Sequence, residues 1–249
     1  MNGHCLVGWD IGGAHLKAVG VSAPGRVNLA LQLPAPIWHG LDTLHEAMNE
    51  ILHRLPAAEH RHAVTMTGEL ADCFPDRDSG VAALLDCSER LLGSETLIYR
   101  AGGLCDLGTA RAAPGYVASA NWHAGAELAG QWYGQGVLVD IGSTTSDLVA
   151  IRDGHPAVHG YTDRERLQHD ELVYTGVVRT PVMAVARRAP VAGIDQPLVA
   201  EQFAVMADVY RLTGELPVVA DQMPTADGGP RDLEGSARRL ARMAGADLK

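Results

Sequence analysis

Basic residues are scarce in this sequence: Lys and Arg number 20 against 30 Asp and Glu, and the formal net charge at pH 7 is −10. Broad binding to nucleic acid or to an anionic membrane surface needs a surplus of Lys and Arg, so we expect neither partner. No segment approaches the roughly 20 apolar residues of a membrane-spanning helix. The N-terminal stretch MNGHCLVGWDIGG lacks the positive region and the apolar run of a signal peptide. We therefore expect a cytoplasmic protein.

Cysteine pairs and several catalytic motifs are also missing. None of the four cysteines forms a C-x-x-C pair, which argues against a zinc ribbon or a thioredoxin-like site and favours reduced thiols. The absence of H-E-x-x-H and of other zinc-ligand spacings predicts no zinc. The absence of G-x-S-x-G argues against an α/β-hydrolase, and that of G-x-x-x-x-G-K-[ST] excludes a P-loop enzyme. Aromatic residues make up only 5%, so Ala, Val and Leu are expected to build the core.

Two similar stretches stand out against these absences. VGWDIGGAHLKAVGV surrounds Asp10, and VLVDIGSTTSDLVAI surrounds Asp140. Each has an apolar run that ends in Asp-Ile-Gly, then a turn of small residues, then a second apolar run. The pattern predicts that each stretch begins a three-stranded meander. The two stretches are therefore a weak repeat in sequence that predicts the same arrangement of strands twice. The predicted strands are 5–10, 16–22 and 27–33, with a turn at Ala23 to Arg26, and then 137–141, 145–151 and 157–161.

Helical spacing of apolar residues separates and follows the two meanders. The two repeats therefore predict two α/β lobes with a boundary near residues 115–136, which we divide as 1–121 and 122–249. Asp78 or Ser79 is the expected cap of the second helix. The predicted helices are 41–55, 78–92, 121–133, 197–214 and 231–246, and short strands are predicted at 62–68 and 96–100.

Each Asp-Ile-Gly turn has the chemistry of a magnesium–phosphate site. A strand that ends in Asp brings a carboxylate out of the core beside a turn whose backbone N–H groups can surround phosphate oxygens. Mg²⁺ prefers oxygen ligands, so Asp10 and Asp140 are its expected ligands, and Lys17 is the expected charge partner of the phosphate. One such turn alone is more often an ordinary β-turn, but the duplication favours phosphate. The expected phosphate-binding residues are Gly12, Gly13, Gly142, Ser143, Thr144 and Thr145.

Asp147 lies in the second repeat, and its role has two interpretations. It is either a second carboxylate beside the metal or an exposed strand residue.

The two turns resemble the phosphate loops of the actin, sugar kinase and Hsp70 superfamily, and VDIGSTTSDLV resembles its hydantoinase/oxoprolinase branch. Longer stretches are similar to the tetrahydromethanopterin-linked one-carbon transfer pathway proteins of methylotrophic bacteria and to archaeal methanofuran-biosynthesis enzymes. The resemblance implies a two-lobed ribonuclease H-like α/β fold, with a mixed sheet and flanking helices in each lobe. The stretches are TMTGELAD (65–72), SANWHA (119–124), TDRERLQHDELVYTGVVRTPV (162–182) and ADVYRLTGELP (207–217).

The resemblance also implies an activity. Such an enzyme joins a furanmethanol diphosphate to a glutamyl-tyramine-type phenol and releases pyrophosphate, with Mg²⁺ as cofactor. An ATP-dependent small-molecule kinase of the same fold and a non-catalytic protein that binds a phosphorylated ligand stay open, as do ATP binding and a homodimer. Superfamily members add a late Gly-Gly loop and a terminal helix. DGGP (227–230) fits that loop poorly, so we expect a second lobe shortened at its C-terminal end.

Other polar residues are candidates for substrate contacts. Glu69 follows a strand that ends in TMTG, where it either takes the phenol proton as general base or lies at the start of the next helix. Asn121 and His123 either contact substrate or cofactor or, for Asn121, cap a helix. Three arginines have two interpretations: they either bind a phosphate or carboxylate group of the substrate, or they belong to a charged loop. They are Arg164, Arg166 and Arg179.

Overall fold

The computed structural model describes residues 5–22 and 25–248, so Ala23 and Pro24 of the predicted turn lie outside the described residues. The described residues contain both helices and strands, as the sequence predicts. In chain order the elements are β1 (Cys5–Ile11), β2 (His15–Ser22), β3 (Arg26–Pro34), α1 (Asp42–Arg54), β4 (His60–Met66), α2 (Arg77–Leu92), β5 (Leu97–Arg100), β6 (Gly103–Cys105), α3 (Leu107–Ala112), α4 (Pro114–Val117), α5 (Asn121–Tyr133), β7 (Gly136–Ile141), β8 (Ser146–Arg152), β9 (His155–Pro156), α6 (Asp163–Gln168), β10 (Leu172–Val173), α7 (Val182–Val185), β11 (Arg188–Val191), β12 (Ile194–Pro197), α8 (Met206–Thr213) and α9 (Leu233–Met243).

The first sheet has the strand order β3-β2-β1-β4-β5-β6. Strands β1, β2 and β3 form the predicted antiparallel meander, whereas β4 runs parallel to β1 and β5 runs parallel to β4. A meander joined to parallel strands that are connected through helices is the mixed sheet expected of a ribonuclease H-like lobe. The predicted α/β class is therefore confirmed.

The core of this sheet follows from the period of its strands and helices. Strand β1 buries every second side chain, including Trp9 and Ile11, because successive residues of a strand point to opposite faces. Helix α1 buries Leu44, Met48 and Ile51, which lie on one face at spacings of four and three. These side chains join one continuous apolar cluster with the buried residues of β4 and α2.

The chain is organised as two compact units. The first contains residues up to 136 together with 149–166, and the second contains 137–148 together with the residues from 167 onward. The boundary that the sequence predicts between residues 121 and 122 falls at the start of α5, inside the first unit. Strands β10, β8 and β7 pair in that order, β9 pairs with the other end of β8, and β11 pairs with β12.

Two predicted elements are wrong. The third strand of the second meander, predicted over 157–161, is not formed: the strand that follows β8 is limited to His155 and Pro156. The helix predicted over 197–214 begins at Met206 instead, because backbone hydrogen bonds from Val182 N to Ala204 O and from Met206 N to Thr180 O hold the preceding segment extended.

The helix ends show which local signals were correct. Helix α2 begins at Arg77, and its cap is Asp76, which accepts from Ser79 N at 2.7 Å; the predicted caps Asp78 and Ser79 lie inside the helix. Helix α5 has the predicted bounds. Its Gly130 is required by packing, since a Cβ there would lie 2.2 Å from Gly154 O. No helix in the described ranges is both long and apolar enough to cross a bilayer.

Candidate active site

Asp10 and Lys17 meet where the first Asp-Ile-Gly turn leaves the sheet. They are opposite each other on β1 and β2, and Lys17 Nζ donates to Asp10 Oδ2 at 3.0 Å. Asp10 Oδ1 is buried and has no hydrogen-bond partner, and the same holds for the hydroxyl of Thr65, the residue opposite Asp10 on β4. An unpartnered buried carboxylate oxygen is costly unless a ligand uses it. Asp10 therefore has one oxygen held by a lysine and one available to a cation or a proton donor.

The donor chemistry at Asp10 fits Mg²⁺. Within residues 5–22 and 25–248, no three His, Cys, Asp or Glu side chains form a group that could hold a metal alone. Mg²⁺ is commonly bound by one or two carboxylates and completes its shell with water and phosphate oxygens, so a single aspartate of this kind is a suitable anchor. Lys17 is one of only two lysines in the sequence, which makes its place beside this aspartate informative.

The first turn is a two-residue hairpin. Gly12 N donates to His15 O at 3.0 Å, so the Gly12 amide completes the strand ladder and is not turned toward a ligand. The tip is held from the other side, because Ile37 N donates to Gly13 O at 3.0 Å. A Cβ on Gly13 would meet no atom within 4 Å, so the tip is open at that point. Of the two predicted glycines, Gly13 is therefore the one at the open tip, and its contact with phosphate stays a prediction.

The second turn repeats this geometry in the other unit. Gly142 N donates to Thr145 O at 2.8 Å, which leaves Ser143 and Thr144 at the tip with their hydroxyl oxygens 3.4 Å apart. Asp140 on β7 is exposed, unlike the half-buried Asp10. The two turns therefore share a backbone but differ in how their carboxylates are surrounded.

The end of the 162–182 stretch supports the second turn. Val178 N and Arg179 N both donate to Ser143 O, at 3.1 and 2.8 Å. A Cβ on Gly176 would lie 2.5 Å from Thr144 N, so only glycine allows this approach. Thr180 Oγ1 accepts from Gly176 N at 2.8 Å. The sequence indicated these residues only through their place in the 162–182 stretch and, for Arg179, as a candidate ligand of phosphate or carboxylate.

Glu69 is the most deeply buried carboxylate of the first unit. It lies in the turn that follows β4 and is 1% exposed. Ser119 Oγ donates to Glu69 Oε1 at 2.7 Å, whereas Glu69 Oε2 is buried without a partner. Burial raises the pKa of Glu69, and the Ser119 hydrogen bond opposes this. Helix α2 is capped by Asp76, so Glu69 does not cap it. Because burial raises its pKa, the Glu69 carboxyl group is suited to accepting and holding a proton.

Ser119 was missed by the sequence analysis as an individual residue. Its φ of +51° places it in the left-handed region, which is unusual for a residue with a side chain. Such strain persists only where the surroundings enforce it and is concentrated at functional sites. Ser119 thus orients Glu69 from the SANWHA stretch.

An ion pair acts on Glu69, and a tyrosine–histidine pair includes the predicted His123. Arg77 Nη2 donates to Asp163 Oδ2 at 2.5 Å, and both act on the pKa of Glu69, Arg77 lowering it and Asp163 raising it. Tyr99 Oη and His123 Nδ1 are 2.8 Å apart, and burial lowers the pKa of His123.

The remaining predicted polar residues have local roles. Asn121 Oδ1 accepts from Trp122 N at 2.7 Å at the start of α5, so its side chain is engaged by the backbone beside it. Arg166 is buried, and its guanidinium stacks 3.9 Å from the centre of the Trp122 ring, which is not the position of a phosphate ligand. Arg164 is exposed. Asp147 pairs with Leu172 of β10 in the sheet register.

The sequence of this chain matches one protein family and two archaeal proteins that share one name. The family model described as Hydantoinase/oxoprolinase matches residues 60–246. The (4-{4-[2-(gamma-L-glutamylamino)ethyl]phenoxymethyl}furan-2-yl)methanamine synthase of Methanocaldococcus jannaschii is 30% identical over 245 residues, which cover 97% of this chain and 72% of that protein. A protein of the same name from Methanococcus vannielii is 33% identical over 112 residues, covering 45% of this chain and 50% of that protein.

Solved structures match at lower identity. A ROK family glucokinase from Streptomyces griseus, in complex with glucose and AMPPNP, is 17% identical with a TM-score of 0.42, covering 97% of this chain and 77% of that chain. A Ppx/GppA family member from Aquifex aeolicus is 10% identical with a TM-score of 0.39, covering 62% of this chain and 49% of that chain.

Proposed function

Because the chain belongs to the hydantoinase/oxoprolinase family, we propose that it is a transferase of methanofuran-type cofactor biosynthesis. It joins a furanmethanol diphosphate to the phenol of a glutamyl-tyramine-like substrate and releases pyrophosphate. The observation that carries this proposal is the 30% identity to the M. jannaschii synthase, which extends over 97% of the chain. We further propose that the reaction serves tetrahydromethanopterin-linked one-carbon metabolism in the cytoplasm of a methylotroph.

The reaction needs a base, and Glu69 supports the proposal by its chemistry. The phenol oxygen forms a bond to the furan methylene carbon, the carbon–oxygen bond to the diphosphate breaks, and pyrophosphate leaves with the electron pair. The phenol proton passes to Glu69. A carboxylate whose pKa is raised by burial is a stronger base than an exposed one, and Glu69 Oε2 has no competing partner.

The leaving group needs positive charge. We assign Asp10 as the anchor of Mg²⁺. When bound, Mg²⁺ would stabilise the negative charge that develops on the departing diphosphate. Lys17 supplies further positive charge, and Gly13 contributes a backbone contact to the phosphates. The role of Asp140 as a metal ligand and that of the second turn as a phosphate loop stay predictions. The roles of the other predicted phosphate ligands, including Thr145 and Asn121, stay predictions.

A pyrophosphate assay tests the proposal. The purified chain is incubated with Mg²⁺ and the furanmethanol diphosphate, with and without the phenol, and the M. jannaschii synthase is the positive control. We expect release of pyrophosphate only when both substrates are present, together with the ether product by mass spectrometry. Formation of ADP from ATP and a small alcohol would support a kinase instead. Ligand binding without turnover, under conditions where the control is active, would contradict the transferase proposal.

A further inference from the structure

A cavity of about 350 Å³ lies in the first unit, and of its lining residues only His123 is a substrate-contact candidate from the sequence. Its wall includes the aromatic rings of Tyr116, Tyr161 and His123, the backbone at Gly102, and two polar side chains, Glu127 and His155. The volume is near the lower end of the range for small-molecule sites. It suits one ring with a short substituent better than a whole two-ring product.

The electrostatic character of the cavity is defined by one carboxylate among aromatic rings. Glu127 lies one helical turn after His123 on α5, and its carboxylate adds to the effect of burial in raising the pKa of Tyr99 to about 12. His155 Nδ1 is 3.7 Å from Glu127 Oε1. None of the lining residues is Lys or Arg. Such a wall favours an ammonium group attached to a flat ring and presents no lining Lys or Arg to a carboxylate or phosphate. The Arg166 charge reaches His123, but its guanidinium is stacked on the Trp122 ring behind the wall.

The His123 ring of the aromatic wall is held by contacts within the protein. His123 is fixed by the hydroxyl of Tyr99 at 2.8 Å, and its ring centre is 5.3 Å from that of Trp122 and 6.1 Å from that of Tyr161. Burial lowers the pKa of His123, so its ring adds no charge that would repel a cation. Preorganised rings reduce the entropy that binding would otherwise cost.

Two segments connect this cavity to the proposed base. Ser119, which donates to Glu69, lies four residues before His123. Tyr161 lies two residues before Asp163, whose charge acts on Glu69 and which pairs with Arg77. The same two stretches of chain therefore hold the Glu69 carboxyl group and line the cavity.

We propose that this cavity binds the aminomethylfuran end of the substrate, with the ammonium group on Glu127 and the furan ring between Tyr116, Tyr161 and His123. This assignment rests on the transferase function proposed above. The product named for the relatives carries a methanamine on its furan and a glutamyl group at the other end. The glutamyl group has a carboxylate that the cavity cannot balance, whereas an arylmethylammonium needs only the carboxylate and rings that are present.

Binding of small probes to the full chain tests the assignment. Furfurylamine, furfuryl alcohol and tyramine are titrated separately by isothermal calorimetry. We expect furfurylamine to bind at least about tenfold more tightly than furfuryl alcohol, because an ionic hydrogen bond to a partly buried carboxylate contributes about that factor. Equal affinity for the amine and the alcohol would overturn the proposal. Tighter binding of tyramine than of furfurylamine would overturn the furan assignment.

Variants locate the binding. Glu127→Gln keeps the shape of the side chain and is expected to lower furfurylamine affinity about tenfold while leaving furfuryl alcohol unchanged. Glu95→Gln, at an exposed turn, makes the same change of charge elsewhere and should bind like the parent. Tyr161→Phe keeps the aromatic ring and removes only the hydroxyl, so furfurylamine should bind as it does to the parent. Retained binding shows that the variant folds and that the ring is sufficient for the contact. Unchanged affinity in Glu127→Gln would refute the cavity assignment.

Pyrophosphate release is measured on the same preparations, so that the two proposals can fail separately. Amine binding through Glu127 without release of pyrophosphate would refute the transferase function alone. Release of pyrophosphate by a chain that does not bind furfurylamine would refute the cavity assignment alone.

Discussion

The two units of this chain are stabilised in different ways. In the first unit, one apolar cluster extends from Val7 to Ala118 and includes the buried faces of β1, α1 and α2. In the second unit, the buried apolar residues form small groups, such as Val178, Val205 and Ala207 around the start of α8. Charged side chains take the central place between α8 and α9 instead.

Asp208 is the centre of that charged group. Its carboxylate is fully buried and accepts from Arg239 Nε at 2.9 Å, from Ser236 Oγ at 2.8 Å and from Arg211 Nη1 at 3.1 Å. Arg211 also donates to Asp221 at 2.7 Å. A buried ionic group of this kind is stable only while every member has its partners. The stability of the first unit should therefore depend on the volume of its apolar core, and that of the second on complete pairing of its buried charges.

The largest expected effect is the loss of that pairing. Asp208→Ala removes the fully buried counter-charge of Arg239 and leaves it only Asp227 at the edge of the group, which should lower the free energy of unfolding by about 3–5 kcal/mol. The measurement is thermal unfolding followed by circular dichroism, with hydrogen exchange to locate the loosened region. Leu84→Ala, in the apolar core, is the matched variant and should cost about 2–5 kcal/mol.

Exchange should rise in α8 and α9 for Asp208→Ala, and in the first sheet for Leu84→Ala. If Asp208→Ala instead unfolded the first sheet to the same degree, the two units would not have separate sources of stability.

The aspartates of the two turns test the comparison at the level of function. Asp10→Asn and Asp140→Asn each remove one negative charge at nearly constant shape. Each is expected to lower kcat/KM for pyrophosphate release about a hundredfold or more, because charge at the leaving group is stabilised less well, with little change in melting temperature.

Asp72→Asn, at an exposed position, is the control and should behave like the parent. Loss of activity in Asp10→Asn alone would restrict the metal role to the first turn. A parallel loss of activity and stability would mean that the aspartates are structural.

The glycines near the two turns should differ in their tolerance of a side chain. Gly176→Ala places a Cβ 2.5 Å from Thr144 N and should destabilise the second turn by about 1–3 kcal/mol. Gly13→Ala meets no atom within 4 Å and should fold like the parent. Melting temperature and pyrophosphate release are measured for both. Equal stability of the two variants would argue against the close approach of residue 176 to the turn.

Glu69→Gln has the smallest expected effect on stability. Unlike the other substitutions, it should raise the melting temperature. Burial raises the pKa of Glu69 above its ordinary value of 4.5, so the parent loses stability as the pH rises through the folded-state pKa. Gln has no proton to lose. The variant should therefore melt at the same temperature as the parent near pH 4 and a few degrees higher near pH 8.

The activity of Glu69→Gln should fall at every pH, and the parent's activity should rise with pH as Glu69 loses its proton. A stability difference that does not depend on pH would contradict the burial of a titrating carboxyl group at this position.

The sequence predicted the elements that depend on neighbours in the chain. The meander β1 to β3 and helix α5 have strong local periodicity, and the structure has them close to or at the predicted bounds. The helix predicted over 197–214 failed because Ala204 and Met206 bond to a segment more than twenty residues earlier. The strand predicted at 157–161 failed because β10, from farther along the chain, pairs with β8 instead.

The candidate site divides in the same way. Asp10, Lys17 and the tips of both turns could be found from the repeat, since a hairpin brings its own ends together. Ser119 and Gly176 could not, because their contacts with Glu69 and Thr144 join residues from distant parts of the chain.

The order and type of nearby residues were enough to indicate the two hairpins, the α/β class and the family. The burial of Glu69, the support of the second turn by Gly176 and the aromatic cavity are visible only in the folded molecule. Burial and close approach are properties of surfaces that meet in space, and the residues that meet at Glu69 are fifty positions apart.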